Sequence, residues 1–155
     1  MFVVGIDPGT KCGWAVLHDG KRISSGTWDL GSKRHEGGGM RYLRARQYFL
    51  QLISTLPNVT AVAYEEVRRH MGVDAAHIYG GIVGQITAIC EEHQIPFQAI
   101  PVGTAKKLAT GRGNASKEAM VKAANDVWNL QLEDNQNDEA DALWMAKTLY
   151  EELMT

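Results

Sequence analysis

The chain has 155 residues, with 16 basic and 18 acidic side chains, a net charge of −2, 45% hydrophobic and 22% charged residues. These proportions suit one globular domain over residues 1–155 and exclude a collagen-like chain, a disulfide scaffold and a disordered tail. No run approaches the roughly 18 apolar residues of a membrane span. Met1 to Asp7 lacks a basic segment and already carries a carboxylate, so no signal peptide is expected. Cys12 and Cys90 have no metal-type partner, which predicts two buried thiols in a cytoplasmic protein.

Taken in chain order, Phe2 to Asp7 is a short β-branched apolar run that ends at the turn signal Asp7-Pro8-Gly9. Gly13 to His18 reads as a second strand. Asp19-Gly20 is a hairpin dipeptide that returns the chain as a third strand, Lys21 to Trp28. Leu30 to Gly39 is polar and glycine-rich, hence a loop. Met40 to Leu56 is helical, with Tyr42, Ala45, Phe49, Leu52, Ile53 and Leu56 on one face. Val59 to Val67 reads as a fourth strand, followed by the basic turn Arg68-Arg69-His70. A helix from about Ala75 to His93, with Asp74 or a neighbour as cap, leads to a fifth strand, Pro96 to Val102. Thr104 to Ala109 reads as a short helix. Ser116 caps a helix to about Trp128, and Asn137 caps the last one, to about Leu153. The order predicts an α/β fold: a mixed five-stranded sheet, three antiparallel strands followed by alternating helices and strands, with helices on both faces.

Charge is unevenly distributed. Between residues 101 and 122, Lys106, Lys107, Arg112, Lys117 and Lys122 stand against Glu118 alone, whereas residues 133–152 carry seven acids against Lys147. A basic stretch near an acidic one fits a phosphate-binding surface beside a metal site, and equally two solvated surfaces. Four carboxylate positions matter more than the totals. Asp7 closes the first strand, Glu65 and Glu66 close the fourth, and Asp138 and Asp141 share one face of the last helix at i and i+3. Strand alternation puts Glu65 with Ala61 and Ala63, and Glu66 with Val62 and Tyr64, so one of the two glutamates can face a common site. Convergence of such acids calls for a cation, and an all-oxygen donor set suits Mg²⁺ or Mn²⁺. Two ions about 4 Å apart would activate water and stabilise a leaving oxygen in phosphodiester cleavage. Each acid also has a plainer reading as a turn, cap or strand-end residue. Asp141, set among Ala140, Ala142, Leu143 and Met145, resists it, because a partly buried acid needs a partner.

The segment Gly5-Ile6-Asp7-Pro8-Gly9-Thr10, with Gly13 after it, resembles the opening strand of RuvC-type Holliday junction resolvases. Tyr64-Glu65-Glu66-Val67 is similar to their second acidic block, and Asn137-Asp138-Glu139-Ala140-Asp141-Ala142-Leu143 to their final acidic helix. The three blocks occur in order at compatible spacing, over nearly the whole chain, and the short length suggests a phage-encoded or divergent member. The resemblance implies a ribonuclease H-like fold, a homodimer that binds four-way DNA junctions, and paired nicks leaving 3′-hydroxyl and 5′-phosphate ends. It implies that Asp7, Glu65, Asp138 and Asp141 bind two Mg²⁺ or Mn²⁺ ions, and that Lys106 and Lys117 act at the scissile phosphate. Arg68, Arg69, Lys107 and Arg112 are further candidates for DNA contact. Arg68 stands where some members carry an aromatic wedge. A stripe of Ala76, Gly80, Gly84 and Ala88 offers either a dimer contact or close packing on the protein's own sheet. The alternatives weighed are a ribonuclease H-like enzyme acting on ribosomal RNA precursors, an actin-like ATPase domain, for which one such domain is too few, and a non-catalytic junction-binding module.

Overall fold

The structure, a computed structural model, describes residues 1–70 and 72–155. Three strands, β1 (Phe2–Asp7), β2 (Lys11–His18) and β3 (Lys21–Asp29), form an antiparallel meander. The β2–β3 hairpin turns on Asp19 and Gly20, at φ 50° and 83°. Both values lie in the left-handed region that an Asp-Gly pair accepts readily. Next come α1 (Met40–Ser54), β4 (Ala61–Glu66), α2 (Val73–Glu92), β5 (Phe97–Pro101), α3 (Val102–Thr110), α4 (Lys117–Trp128) and α5 (Asn137–Leu153). Strands β4 and β5 join parallel to β1, giving the sheet order β3-β2-β1-β4-β5.

Alternation along the strands divides the core into two layers. Val4, Ile6, Cys12, Val16 and Val62 pack with Phe49 of α1 and Ile82, Ile86 and Cys90 of α2. Val3, Ala15, Leu17, Ala61 and Ala63 pack with α3, α4 and α5, nine of whose 17 residues are buried. Helix α5 can lie directly on the sheet because two glycines leave room beneath it. A Cβ at Gly5 would overlap the carbonyl oxygen of Ala142, and one at Gly13 would overlap that of Asp138. The contact at Gly13 sets the height of the first turn of α5, the turn that carries Asp138.

Several helix starts differ from the sequence expectation. Ser116 does cap α4, its hydroxyl accepting from the Ala119 N–H at 3.1 Å. Asn137 is not a cap but the first helical residue. A 3₁₀ turn, Asp134–Gln136, precedes it, held by reciprocal bonds between Glu133 and Gln136. That turn satisfies the entering backbone one residue earlier than the Asn signal suggests. Asp74 is likewise inside the first turn of α2, with Gly72 at the cap position. Helix α3 is longer than expected because Pro101, the last residue of β5, is also its N-cap. Cys12 and Cys90 are both buried and free.

Candidate active site

The ends of β1 and β4 bring two acids together. The parallel register reaches Ile6 opposite Tyr64. The next residues on each strand, Asp7 and Glu65, point to the same face, the one covered by α5. The first turn of α5 then brings Asp138 towards them, and Asp141 follows one turn later on the same face. Glu66 faces the other layer, where its carboxylate pairs with Arg68 Nε at 3.1 Å. The strand end that carries Glu65 is fastened from α2, since the Tyr79 hydroxyl donates to the Glu65 carbonyl at 2.7 Å. The first turn of α5 is fastened from β3. Glu139, buried next to Asp138, accepts from the Ser25 hydroxyl at 2.6 Å, and that hydroxyl accepts from Arg22 Nε at 2.6 Å.

The electrostatics of the group follow from burial and crowding. Asp7 is only 7% exposed. Removal from water pushes its carboxyl well above the usual carboxylate range, and a hydrogen bond to Glu65 and the charges of Glu65, Asp141 and Asp138 push the same way. Asp141 is raised to about 7, by desolvation first and then by Glu65 and Asp138, with Lys106 and Lys117 opposing. Asp138 is raised by desolvation, against a hydrogen bond with Asp7 and the pull of Lys117 and Lys11. The lysines are therefore near enough to act, but too weak to neutralise the group.

Among the described residues, no set of three His, Cys, Asp or Glu side chains is arranged around an ion as the side chains stand. Glu65 and Asp138 are instead each linked to Asp7 by a shared hydrogen bond, and Asp141 acts on it through charge. The donor set still fits a hard divalent cation. It consists of four carboxylates whose mutual repulsion a cation would relieve, from three elements that the core holds in register. Cys12 adds no soft ligand, because its side chain is buried in the other layer, with Val4, Ile6 and Phe49.

Basic residues flank this group. Lys106, half-buried on α3, and Lys117, exposed at the start of α4, both act on Asp141. Lys107, next to Lys106 on α3, and Arg112, in the loop that follows α3, are both exposed. Arg68 and Arg69 are exposed beyond β4, and Arg69 borders two grooves. One groove, of about 540 Å³, runs from Glu65 and Glu66 to Pro101–Gly103. The other, of about 300 Å³, runs from Pro8–Thr10 to Ile78 and Tyr79. Lys11 was not among the sequence candidates, although it acts on Asp138. Its position four residues after Asp7, at the far end of the Pro-Gly turn, was the available signal. Tyr79 carried no such signal, since it matters only through an element distant in sequence; Gly13 stood beside the opening motif, but its contact with α5 was not legible there.

A family model described as "Crossover junction endodeoxyribonuclease RuvC" matches residues 3–149. A crossover junction endodeoxyribonuclease RuvC from Chlamydia trachomatis is 30% identical over 151 residues, 94% of this chain and 88% of that protein. The one from Nitratidesulfovibrio vulgaris is 29% identical over 144 residues, 91% of this chain and 85% of that protein. The structure of T. thermophilus RuvC in complex with Holliday junction substrate superposes with a TM-score of 0.84 at 25% identity, covering 99% of this chain and 96% of that one.

Proposed function

This chain belongs to the RuvC family of crossover junction endodeoxyribonucleases, and from that premise we propose that it resolves four-way DNA junctions by cutting phosphodiester bonds at the pocket formed by Asp7, Glu65, Asp138 and Asp141. The observation that carries this reading is the convergence of four carboxylates from β1, β4 and α5 around the buried Asp7, with the carboxyls of Asp7, Asp138 and Asp141 held above their ordinary range. Such a group has no structural benefit and is stable only with protons or cations. Family membership implies dependence on a divalent metal ion. We assign the four carboxylates as the residues that hold it, as two Mg²⁺ or Mn²⁺ ions. When bound, those ions supply the charge that offsets the acids and the Lewis acidity on which phosphodiester hydrolysis draws.

The remaining roles belong to the chain itself. Lys117 and Lys106 meet the non-bridging oxygens of the scissile phosphate and stabilise the charge that develops there. Arg68, Arg69, Lys107 and Arg112 contact the DNA backbone along the flanking grooves, fixing register without reading sequence. The nick leaves 5′-phosphate and 3′-hydroxyl ends. Paired nicks need two such pockets, and we assign the exposed stripe of Gly80, Gly84 and Ala88 on α2 as the surface through which a second copy joins. No side chain stands within 4 Å of the Cβ positions of Gly80 and Gly84 among the described residues. This stripe is thus not occupied by the protein's own sheet.

The test uses end-labelled four-way junction, plain duplex and RNA–DNA hybrid, each with Mg²⁺, Mn²⁺ or EDTA. Paired nicks confined to the junction are expected, lost with EDTA and lost in Asp7→Asn, while Asp7→Asn still binds the junction. Cutting of the hybrid would make the enzyme a ribonuclease. Tight binding without cutting under either metal would leave a junction-binding module.

A further inference from the structure

The segment between β3 and α1 has the composition of a loose loop, yet its backbone is tied down at several points. The Leu30 N–H donates to the carbonyl of Thr10, in the turn that follows Asp7, at 2.7 Å. The Gly31 N–H donates to the Asp29 carboxylate at 3.0 Å. Arg41, from the first turn of α1, reaches back to the Leu30 carbonyl at 2.7 Å and the Ser32 hydroxyl at 2.9 Å. Arg44 pairs with Glu36 through one carboxylate oxygen, and the other accepts from the Lys33 N–H at 3.2 Å. Arg41 and Arg44 therefore anchor the loop, and Lys33, Arg34 and His35 are exposed on it.

This platform stands on one flank of the four acids. Strands β2 and β3 lie on one side of β1, and β4 and β5 on the other. Lys106 and Lys117 follow β5, whereas Lys33 and Arg34 follow β3. Lys11 bridges the interval: it faces Asp29 across the β2–β3 ladder, and its charge reaches Asp138. Asp29, the acid at the base of the platform, is held below the usual carboxylate range by the Gly31 N–H first and then by Lys11, Lys33 and Arg44. Residues 32–46 carry five basic side chains against Glu36 alone, as strong a local excess as that of residues 101–122.

We propose that Lys33 and Arg34, continued towards the acids by Lys11, form a second phosphate-binding surface that holds the duplex arm on the opposite side of the scissile bond from Lys106 and Lys117. The inference rests on the reading of the four-acid pocket as a junction-cutting centre. A basic surface on a tethered loop binds a backbone with little further ordering, so its cations contribute more than mobile surface lysines do. With both flanks occupied, the scissile phosphate is held over Asp7 from two sides.

The test is junction binding by wild type, by Lys33→Ala/Arg34→Ala, and by Lys21→Ala in the distant β2–β3 hairpin, across a salt series and with Ca²⁺ in place of the catalytic metal. Hydroxyl-radical footprinting is run on each complex. The double variant is expected to bind about tenfold or more weakly, with the log–log salt slope reduced by roughly two. Its footprint should lose protection on one side of the nick position only, and Lys21→Ala should match wild type. Unchanged affinity, slope and footprint in the double variant would overturn the proposal and leave Lys33 and Arg34 as solvated side chains. Wild type that binds no junction would instead remove the underlying reading, a result separable from the first.

Discussion

At Asp7, burial and three neighbouring carboxylates act in the same direction; at Asp141 burial, Glu65 and Asp138 do so against Lys106 and Lys117, and at Asp138 burial prevails over the hydrogen bond with Asp7 and the charges of Lys117 and Lys11. A carboxyl raised in the folded state stabilises the fold fully below its unfolded value near 4, and that stability is lost as pH rises through the folded value. For Asp141 the folded value is about 7. Unfolding in EDTA is therefore expected to become easier from pH 5 to pH 8, by on the order of 2 kcal/mol from Asp141 alone. Saturating Mg²⁺ should flatten the profile, and Asp141→Asn should flatten part of it without metal. Urea unfolding at several pH values checks this, and a metal-free protein that gains stability up to pH 8 would contradict it. Lys117 makes the complementary case. Lys117→Ala is expected to lower kcat on a junction by about 10²-fold, with a smaller change in affinity, in single-turnover cleavage. Lys107→Ala, assigned to the DNA backbone rather than to the scissile phosphate, should do the reverse.

At the scale of elements, the site depends on how closely α5 lies on the sheet. Gly13→Ala would drive a Cβ into the backbone of Asp138, and backbone cannot give way as a flexible side chain can. The variant is expected to lose about 2–3 kcal/mol of stability and to cut poorly even when folded, because Asp138 is displaced. Thermal unfolding and cleavage at a temperature where the variant remains folded separate the two effects. The five strands and five helices among the described residues were legible in the sequence, because each has its own pattern or punctuation: the β-branched run of β1, the Asp19-Gly20 turn, the Ser116 cap. The three acidic blocks were legible for the same reason, being local. The Asn137 start was misread because a capped 3₁₀ turn ahead of it satisfies the backbone first. The order of the 30–36 loop was invisible because its ties come from Arg41, Arg44 and Thr10 rather than from its own residues. The role of Tyr79, and the contact that Gly13 makes with α5, were hidden for the same reason.

Over the whole molecule, the ends of the central strands β1 and β4 gather the acids under α5, while the opposite layer carries the surface proposed for assembly. Helix α2 sends Tyr79 to the Glu65 carbonyl and buries Ile82, Ile86 and Ile89, leaving Gly80, Gly84 and Ala88 outside. Small residues along an exposed helix let a partner helix approach closely. Gly84→Glu is expected to leave the fold intact by circular dichroism, to shift sedimentation from dimer to monomer, and to turn paired nicks into single ones. A Gly84→Glu dimer would place the interface elsewhere. The central claim is that the four acids act together as one divalent-cation site. Its most direct test is a calorimetric titration of Mn²⁺ into wild type, Asp7→Asn, Glu65→Gln, Asp138→Asn and Asp141→Asn at pH 7.5. Wild type should bind two ions, and every variant should lose or greatly weaken at least one. Undiminished binding by Asp7→Asn, the variant at the hub of the group, would contradict the account.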